Sequence, residues 1–287
     1  MSTAPGPAVG AGLRRVPPQT LFILGAVSQY AGSAAAVELF DRVPAAGVAW
    51  LRVLSAAVAL AVWRRPWRSA WTARRLRLVA AFGGTLALMN LCFYLAIARL
   101  PLGTAVAIEF TGPIAVAALG SRTRRDAAAL ALAVLGVLAL ADVRFSGSPG
   151  GVALALAAGA LWACYIVLGH RVASDRGIRP QDGLAAAMAI GALALAPALV
   201  PTASPALTDP VLLAACVAVG LASSVVPYAL EQLAMRRLPR ARFALLLSLL
   251  PATAAVMGAV FLGQIPEVVE AAGIALVVAA ASLRSHD

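Results

Sequence analysis

Long apolar stretches follow one another along almost the whole chain, separated by short polar segments that are rich in arginine. Each stretch is apolar on every side and has about the length, roughly 20 residues, that a helix needs to cross a bilayer. Strands that cross a membrane would be shorter and would alternate polar and apolar residues. The pattern therefore predicts ten membrane-spanning helices, over residues 19–37, 44–63, 77–98, 101–120, 126–142, 150–169, 183–200, 210–231, 240–262 and 266–283.

Composition supports this interpretation and excludes two classes of function. Hydrophobic residues make up 62% of the chain and charged residues only 12%, which is too little polar surface for a soluble protein of 287 residues. The chain contains no lysine, so it has no Walker A loop and no ATP-driven motor of that kind. The net charge of +11 does not indicate nucleic-acid binding, because the arginines are spread over many short clusters.

The arginines predict how the helices are oriented. If the N-terminus is cytoplasmic and ten helices alternate in direction, all of the 23 arginines except Arg42, Arg52, Arg99 and Arg144 fall in cytoplasmic segments. Basic loops stay on the cytoplasmic side of a membrane. We therefore expect a multi-pass protein of the inner (plasma) membrane, with a disordered N-terminal tail (1–18) and a short C-terminal tail (284–287), both in the cytoplasm.

The two halves of the chain resemble each other. Residues 98–113 align without gaps on residues 236–251, reading ARLPLGTAVAIEFTGP and RRLPRARFALLLSLLP, so that Pro113 corresponds to Pro251. Because five helices per half is an odd number, the second copy must be inverted in the membrane. Inverted repeats are typical of secondary transporters, whose binding sites lie near the bilayer midplane. The sequence thus predicts an all-α membrane protein of two inverted five-helix repeats, over 19–142 and 150–283.

Two charged residues lie deep in the predicted helices. Glu109 is near the middle of its helix, and Pro113 cannot donate a hydrogen bond to the carbonyl of Glu109 four residues earlier. A carboxylate and a free carbonyl could together bind an ammonium group or a proton. Arg52 is the other deep charge, and such residues are costly in lipid unless they are paired or serve function. Either the two form a structural ion pair, or Arg52 binds a substrate carboxylate and Glu109 an amine.

Further polar side chains are candidates for the same cavity. Asn90 and Tyr94 lie one helical turn apart and so share a face, and Tyr228 and Glu231 share another just after a proline. The candidate substrate-binding residues are Glu109, Arg52, Asn90, Tyr94, Tyr165, Tyr228 and Gln29. Glu109 and Glu231 are the candidates for proton coupling, and Pro113 and Pro251 are expected to break their helices.

Several segments resemble the EamA-type drug/metabolite transporter family. These are residues 89–122, with the block EFTGP, and the segments PYALEQLAMRRLP (227–239), VFLGQ (260–264) and LWACYI (161–166). The resemblance covers almost the whole chain and implies ten helices in two inverted repeats and export of small amino acids or related metabolites. It places Arg52, Asn90, Tyr94, Glu109, Tyr228 and Glu231 on motif positions. The chain departs from the family pattern at Leu250 and Gln264, where such exporters tend to carry glutamate.

From these observations we expect a secondary exporter of a small zwitterionic metabolite, exchanged against protons, within the lipid bilayer. The chain could form a homodimer through its small-residue helices. Hydrolytic or prenyl-transfer enzymes need a membrane-level histidine, a nucleophile–base pair or an aspartate-rich metal motif, which the sequence does not offer. We therefore expect no enzyme, cofactor or metal and no nucleic-acid partner. A flippase for a lipid or lipid-linked intermediate is the alternative.

Overall fold

The computed structural model describes residues 16–69, 71–120, 123–145, 148–235, 237–238 and 240–284, and these residues form helices and short connections without any strand. The first half contains α1 (Pro18–Leu39), α2 (Ala45–Arg64), α3 (Ala73–Ile97), α4 (Leu102–Glu109), α5 (Thr111–Gly120) and α6 (Arg124–Phe145). The second half contains α7 (Pro149–Ser174), α8 (Pro180–Thr208), α9 (Pro210–Gly220), α10 (Val226–Met235), α11 (Arg240–Leu247), α12 (Leu250–Leu262) and α13 (Val268–Arg284). A π-helical segment, Leu221–Val225, joins α9 to α10 and is called the π turn below.

Within these described ranges, seven helical segments are long and apolar enough to cross a membrane. They are Pro18–Leu39, Ala45–Arg64, Ala73–Ile97, Pro149–Ser174, Pro180–Thr208, Pro210–Met235 and Leu245–Leu262. Three shorter apolar helices, Leu102–Val116, Ala127–Leu140 and Val268–Leu283, coincide with the remaining predicted stretches. The all-helical membrane architecture is therefore confirmed, whereas the number of ten crossings stays a prediction.

Helix α8 is longer than its predicted range of 183–200, because prolines inside it do not end it. The helix continues through Pro197, Pro201 and Pro205. Pro205 has no N–H for the carbonyl of Pro201 four residues earlier, and the hydroxyl of Ser204 donates to that carbonyl at 2.8 Å instead. Serine hydroxyls commonly satisfy backbone groups freed by proline in membrane helices. The predicted end at residue 200 was wrong for this reason.

The closest helix packing joins the two halves of the chain. Helix α2 packs on α8, α3 packs on α7 and α8, and α1 packs on α10. Beside these, α4 packs on α12 and α6 packs on α13. Buried alanine, leucine and valine side chains fill these contacts, and Trp50 of α2 also donates from Nε1 to the carbonyl of Ala192 in α8 at 2.8 Å.

Glycines allow α3 and α8 to approach backbone to backbone. A Cβ atom added to Gly83 would lie 2.8 Å from the carbonyl carbon of Ala187, and one added to Gly191 would lie 2.9 Å from that of Gly83. Both distances are well below the 3.5–4.0 Å at which carbon atoms make favourable contact. Only glycine fits at either position, so this pair fixes the spacing of the two helices.

A buried carboxylate ties helices together at the end of the molecule that carries most of the arginines. Asp182, at the start of α8, is fully buried. Its carboxylate accepts from Nε of Arg64 at 3.2 Å, from Nε of Arg179 at 2.6 Å and from the Ser69 hydroxyl at 3.0 Å. Because every oxygen of the carboxylate is bonded, the charge is compensated, and the end of α2 is held against α8. This end is called the arginine-rich end below.

A second acidic residue lies at the same end, outside the apolar helices. The backbone N–H of Gly177 donates to Asp175 at 2.8 Å, and Arg75 forms an ion pair with it at 3.1 Å. The hydrogen bond from Gly177, with the positive charge of Arg75, holds the pKa of Asp175 below its ordinary value. The short connection between α7 and α8 is thereby linked to the start of α3.

Several residues used to predict the orientation lie outside the described ranges. They are Arg14 and Arg15, most of the predicted tail 1–18, Arg122, Arg236, and the last residues of the predicted tail 284–287. The cytoplasmic placement of both termini, and the division into repeats over 19–142 and 150–283, therefore remain predictions.

Candidate transport cavity

A cavity of about 230 Å³ lies among α1, α2, α3, α7, α8, the π turn and α10. Six of the predicted site residues line it, and they come from five separate helices: Gln29, Arg52, Asn90, Tyr165, Tyr228 and Glu231. The other lining residues are Leu60, Leu86, Met89, Trp162, Leu184, Met188, Ser223, Ser224 and Pro227. Two predicted site residues, Tyr94 and Glu109, lie outside this lining.

Arg52 is fixed in the cavity wall by the π turn. Its Nε donates to the Ser224 hydroxyl at 3.0 Å, and its Nη2 donates to the carbonyl of Ser223 at 3.0 Å. Pro227 has no N–H that could bond the Ser223 carbonyl four residues earlier, so this oxygen is available to the guanidinium. Single π turns inside α-helices occur frequently at functional sites. The sequence signal for this arrangement was the pair Ser223–Ser224 followed by Pro227, and the π turn itself was not predicted.

The aromatic ring of Tyr94 packs against the guanidinium of Arg52. The guanidinium carbon of Arg52 lies 5.1 Å from the centre of the Tyr94 ring, within the range of a cation–π interaction. The tyrosine is fully buried, and its edge contacts are to the rings of Phe40 and Phe93. Its hydroxyl is buried, and it has no hydrogen-bond partner among the residues that the structure describes. Tyr94 therefore contacts the arginine rather than the cavity, although Asn90 one turn earlier lines the cavity.

Glu109 is buried at the end of α4 and does not reach Arg52. Of the two alternatives that the sequence left open, the structural ion pair is absent from the described residues, since no oxygen of Glu109 lies within 4.0 Å of a guanidinium nitrogen of Arg52. The two charges still interact electrostatically, and buried Tyr30 lies near both. Helix α7 covers the backbone of Glu109, because a Cβ atom added to Gly159 would lie 2.8 Å from the Glu109 carbonyl oxygen.

Glu231 is the acidic residue that lines the cavity. It forms no hydrogen bond or ion pair with any residue that the structure describes, and the hydroxyl of Tyr165 lies near enough to its charge to interact with it. Arg237, a basic residue six positions further along the chain, donates to the carbonyl of Val16 at 3.4 Å. Arg236 lies outside the described residues. The carboxylate of Glu231 is therefore available to a cation or a proton entering the cavity.

Short interruptions between helices lie at corresponding places in the two halves. Helix α4 ends at Glu109 and α5 begins at Thr111, before Pro113. Helix α11 ends at Leu247 and α12 begins at Leu250, before Pro251. The Thr111 hydroxyl donates to the carbonyl of Ile108 at 2.7 Å, so it stabilises the first break and is not directed at a ligand.

A further buried carboxylate, Glu270, was not among the predicted site residues. It is 1% exposed near the start of α13, where its carboxylate accepts from the Thr104 hydroxyl at 3.3 Å and from the backbone N–H of Glu267 at 3.1 Å. The bond to the residue three positions earlier caps α13. Nearby, Gln264 accepts from the backbone N–H of Leu102 at 2.9 Å and so caps α4. Both side chains join helices and lie away from the cavity.

The described residues contain no group of three or more His, Cys, Asp or Glu side chains that could hold a metal ion. The polar groups that line the cavity are one fixed cation, one carboxylate, two amides, two tyrosines, two serines and one tryptophan. This set can bind a small zwitterion by hydrogen bonds and charge alone.

Comparison with known proteins identifies the family of this chain and agrees with its fold. The EamA-like transporter family matches residues 149–285. The threonine/homoserine exporter RhtA of Escherichia coli (strain K12) is 37% identical over 93% of this chain and 92% of its own length. RhtA of Salmonella typhimurium (strain SL1344) is 38% identical over 86% and 84%.

One solved crystal structure shares the fold, with a TM-score of 0.52 at 21% identity over 92% of this chain and 95% of the other. Identity with the exporters extends over almost the whole of both chains, and it includes the first half, which the family match does not reach. The chain belongs to the EamA-like transporter family.

Proposed function

We propose that this protein is a secondary transporter that exports small amino acids, similar to threonine and homoserine, or related metabolites across the inner membrane. The observation that carries the proposal is the fixed guanidinium of Arg52, held by Ser223 and Ser224 in the wall of a cavity between apolar helices. A charged group at this depth is costly unless it has a function. A substrate carboxylate is a fitting partner for a guanidinium whose geometry is already set.

The proposed architecture is ten membrane-spanning helices in two inverted repeats. Support comes from the packing between the halves. Helix α2 of the first half packs on α8 of the second half. The contact of α3 with α7 has its counterpart in the contact of α10 with α1. The corresponding helix breaks before Pro113 and Pro251 support the same relationship. With both termini in the cytoplasm, the arginine-rich end is the cytoplasmic end.

The cavity in this arrangement faces the cytoplasm. Leu60 lies eight residues beyond Arg52 in α2, about 12 Å closer to the arginine-rich end at 1.5 Å per residue. Glu231 lies beyond Ser224 in the same direction along α10. The cavity thus extends from the fixed arginine toward the cytoplasmic end, as uptake of an internal substrate for export requires.

We propose coupling by proton antiport, with Glu231 and Glu109 as the groups that bind the proton. Glu231 lines the cavity and has no hydrogen-bond or ion-pair partner among the residues that the structure describes, so a proton and a substrate ammonium can compete for it. Glu109 lies behind the cavity and responds to the charge of Arg52. Exchange of a proton for an ammonium at a carboxylate keeps the buried charge balanced in both states.

Counterflow in proteoliposomes tests the binding role of Arg52. Purified protein is reconstituted with unlabelled threonine or homoserine inside, and entry of the labelled amino acid is followed. Arg52→Lys keeps the charge but cannot bond both Ser224 and the carbonyl of Ser223, and we expect at least about a 10-fold loss of counterflow. Arg99→Gln removes an exposed arginine outside the cavity and serves as the control. Full counterflow in Arg52→Lys would refute the binding role.

The same vesicles separate binding from coupling. Glu109→Gln and Glu231→Gln should each lose transport driven by a pH gradient, while counterflow without a gradient stays measurable. An amide can still form hydrogen bonds with a ligand, but it cannot release a proton. A variant that keeps gradient-driven transport shows that its glutamate is not the coupling group.

The alternative function, a flippase for a lipid or lipid-linked intermediate, is tested in the same preparation. A fluorescent lipid in the inner leaflet would become accessible to an external quencher in protein-containing vesicles. Lipid movement without amino-acid counterflow would favour the flippase and exclude the proposed exporter.

A further inference from the structure

The chain between the end of α2 and the start of α3 is strongly basic. Residues 63–77 read WRRPWRSAWTARRLR, with six arginines and no acidic residue. This segment joins two helices that are long and apolar enough to cross a membrane, Ala45–Arg64 and Ala73–Ile97. Because the connection between these two spans is short, its charged and aromatic side chains lie at the level of the lipid headgroups.

Three hydrogen bonds hold this connection against the protein. Arg64 and Ser69 both donate to the buried carboxylate of Asp182, at 3.2 and 3.0 Å. The indole Nε1 of Trp71 donates to the carbonyl of Pro66 at 2.9 Å. The other arginines and tryptophans of the segment are therefore presented from an anchored backbone.

The nearby carboxylates are already bonded by other arginines. Asp182 forms ion pairs with Arg64 and Arg179, and Asp175 forms one with Arg75. Four exposed arginines of the segment have no ion pair with any residue that the structure describes: Arg65, Arg68, Arg74 and Arg77. The surface of the connection thus carries positive charge that the protein itself does not pair.

Two of these arginines share one face of α3. Arg74 and Arg77 lie three residues apart, so their side chains are neighbours on the helix. The Nε of Arg77 bonds only the carbonyl of Ala73 in its own helix, at 3.4 Å. Arg74 interacts with Asp175 through charge alone, since the ion pair of that carboxylate is with Arg75.

Exposed apolar side chains lie beside the unpaired charges. Trp63, in the last turn of α2, is 51% exposed, and Trp67, in the helical turn Pro66–Arg68, is 63% exposed. Leu76 of α3 is exposed as well. Tryptophan rings are enriched at the interface between membrane and water. A soluble anion would contact the arginines alone, whereas a lipid offers both a phosphate and an apolar phase.

We infer that the connection between α2 and α3 is a binding surface for anionic phospholipids. Guanidinium groups bind phosphate oxygens in pairs of hydrogen bonds, and the acyl chains just below the phosphate contact Trp63 and Trp67. Clusters of about four to eight basic residues directly beside a spanning helix are typical of such surfaces. The inference concerns the outer surface of the protein and does not depend on what the cavity transports.

Quenching of tryptophan fluorescence tests the inference. The full chain is reconstituted into vesicles of phosphatidylglycerol and phosphatidylcholine, one of which carries brominated acyl chains that quench nearby indole rings. Trp50 is buried and Trp162 lines the cavity, so the connection supplies most of the signal that lipid can quench. One arginine near anionic lipid strengthens binding by about 5-fold. We expect at least this preference for phosphatidylglycerol, and its loss at about 1 M salt, where screening acts within roughly 3 Å.

Two matched double variants locate the preference. Arg68→Gln with Arg74→Gln removes two of the unpaired charges, and the preference for phosphatidylglycerol should fall several-fold. Arg65 is left in place because its backbone is left-handed, with φ of 52°. Arg42→Gln with Arg99→Gln removes the same charge at the opposite ends of α2 and α3. This control should leave the preference unchanged.

Each outcome decides. Equal quenching by the two lipids in the wild-type protein would overturn the inference, and so would a preference that the Arg68 and Arg74 variant retains in full. If that variant does not fold, the wild-type preference and its loss at high salt decide by themselves. Loss of the preference on addition of an equimolar amount of soluble poly-glutamate would identify an acidic protein as the partner and would overturn the lipid assignment.

Discussion

The contact of Gly83 with α8 allows a matched test of the fold, because the next residue is also a glycine. A Cβ atom at Gly83 would lie 2.8 Å from the carbonyl carbon of Ala187 and would overlap its oxygen, whereas one at Gly84 would meet no atom within 4 Å. Since the obstructing atoms belong to the backbone, no side-chain rotation can relieve the overlap at Gly83. Helices α3 and α8 would have to separate by roughly 1 Å to restore normal contact distances.

The magnitude follows from two opposing effects. Overpacking of a well-packed interior costs about 1–3 kcal/mol, while replacing glycine by alanine within a helix contributes up to about 1 kcal/mol of stability. Gly84→Ala should therefore be neutral or slightly stabilising. The helix contribution is the same in both variants and cancels, so Gly83→Ala should be less stable than Gly84→Ala by about 1–3 kcal/mol, the cost of overpacking.

Thermal unfolding of the two purified variants in detergent measures this difference. After heating, the fraction that remains monodisperse on size-exclusion chromatography gives an apparent melting temperature. We expect a clearly lower value for Gly83→Ala and reduced counterflow, because Leu86 and Met188 lie close to this contact and line the cavity. Equal melting temperatures for both variants would show that α3 and α8 do not approach each other in this way.

Three further predictions use matched residues in the same manner. Asp182→Asn should lower stability by about 2–3 kcal/mol, because it weakens charged hydrogen bonds to a fully buried group. Asp209→Asn, in an exposed ion pair, should change stability by less than about 1 kcal/mol. Chemical denaturation of the two variants measures the difference. Gly159→Ala places a Cβ 2.8 Å from a carbonyl oxygen and should lower the melting temperature, while Gly150→Ala in the same helix meets nothing within 4 Å and should not. The folded pKa of Asp175 lies below its unfolded value of about 3.8, so its stabilising contribution is present above that pH and is lost as the pH falls through the folded pKa. Melting curves of Asp175→Asn should therefore show a weaker loss of stability with acid than wild type, and identical acid profiles would contradict the assignment.

The sequence by itself determined the membrane-spanning helices and most of the cavity residues. Apolar stretches of spanning length fix where helices form, because lipid leaves the backbone no other way to satisfy its polar groups. Deep polar residues such as Arg52 and Asn90 were recognisable because they are costly in lipid without a function. Pro113 and Pro251 each follow one of the helix interruptions, and each lacks the N–H that would bond the carbonyl four residues earlier.

Only the tertiary structure decided which way each helix faces. These helices are apolar on nearly all sides, so their sequences carry little information about rotation within the bundle. Tyr94 and Glu109 were therefore indistinguishable in sequence from the residues that line the cavity, yet they lie behind it. Backbone contacts such as that of Gly83 with α8 set these rotations, because they depend on which glycines of separate helices meet.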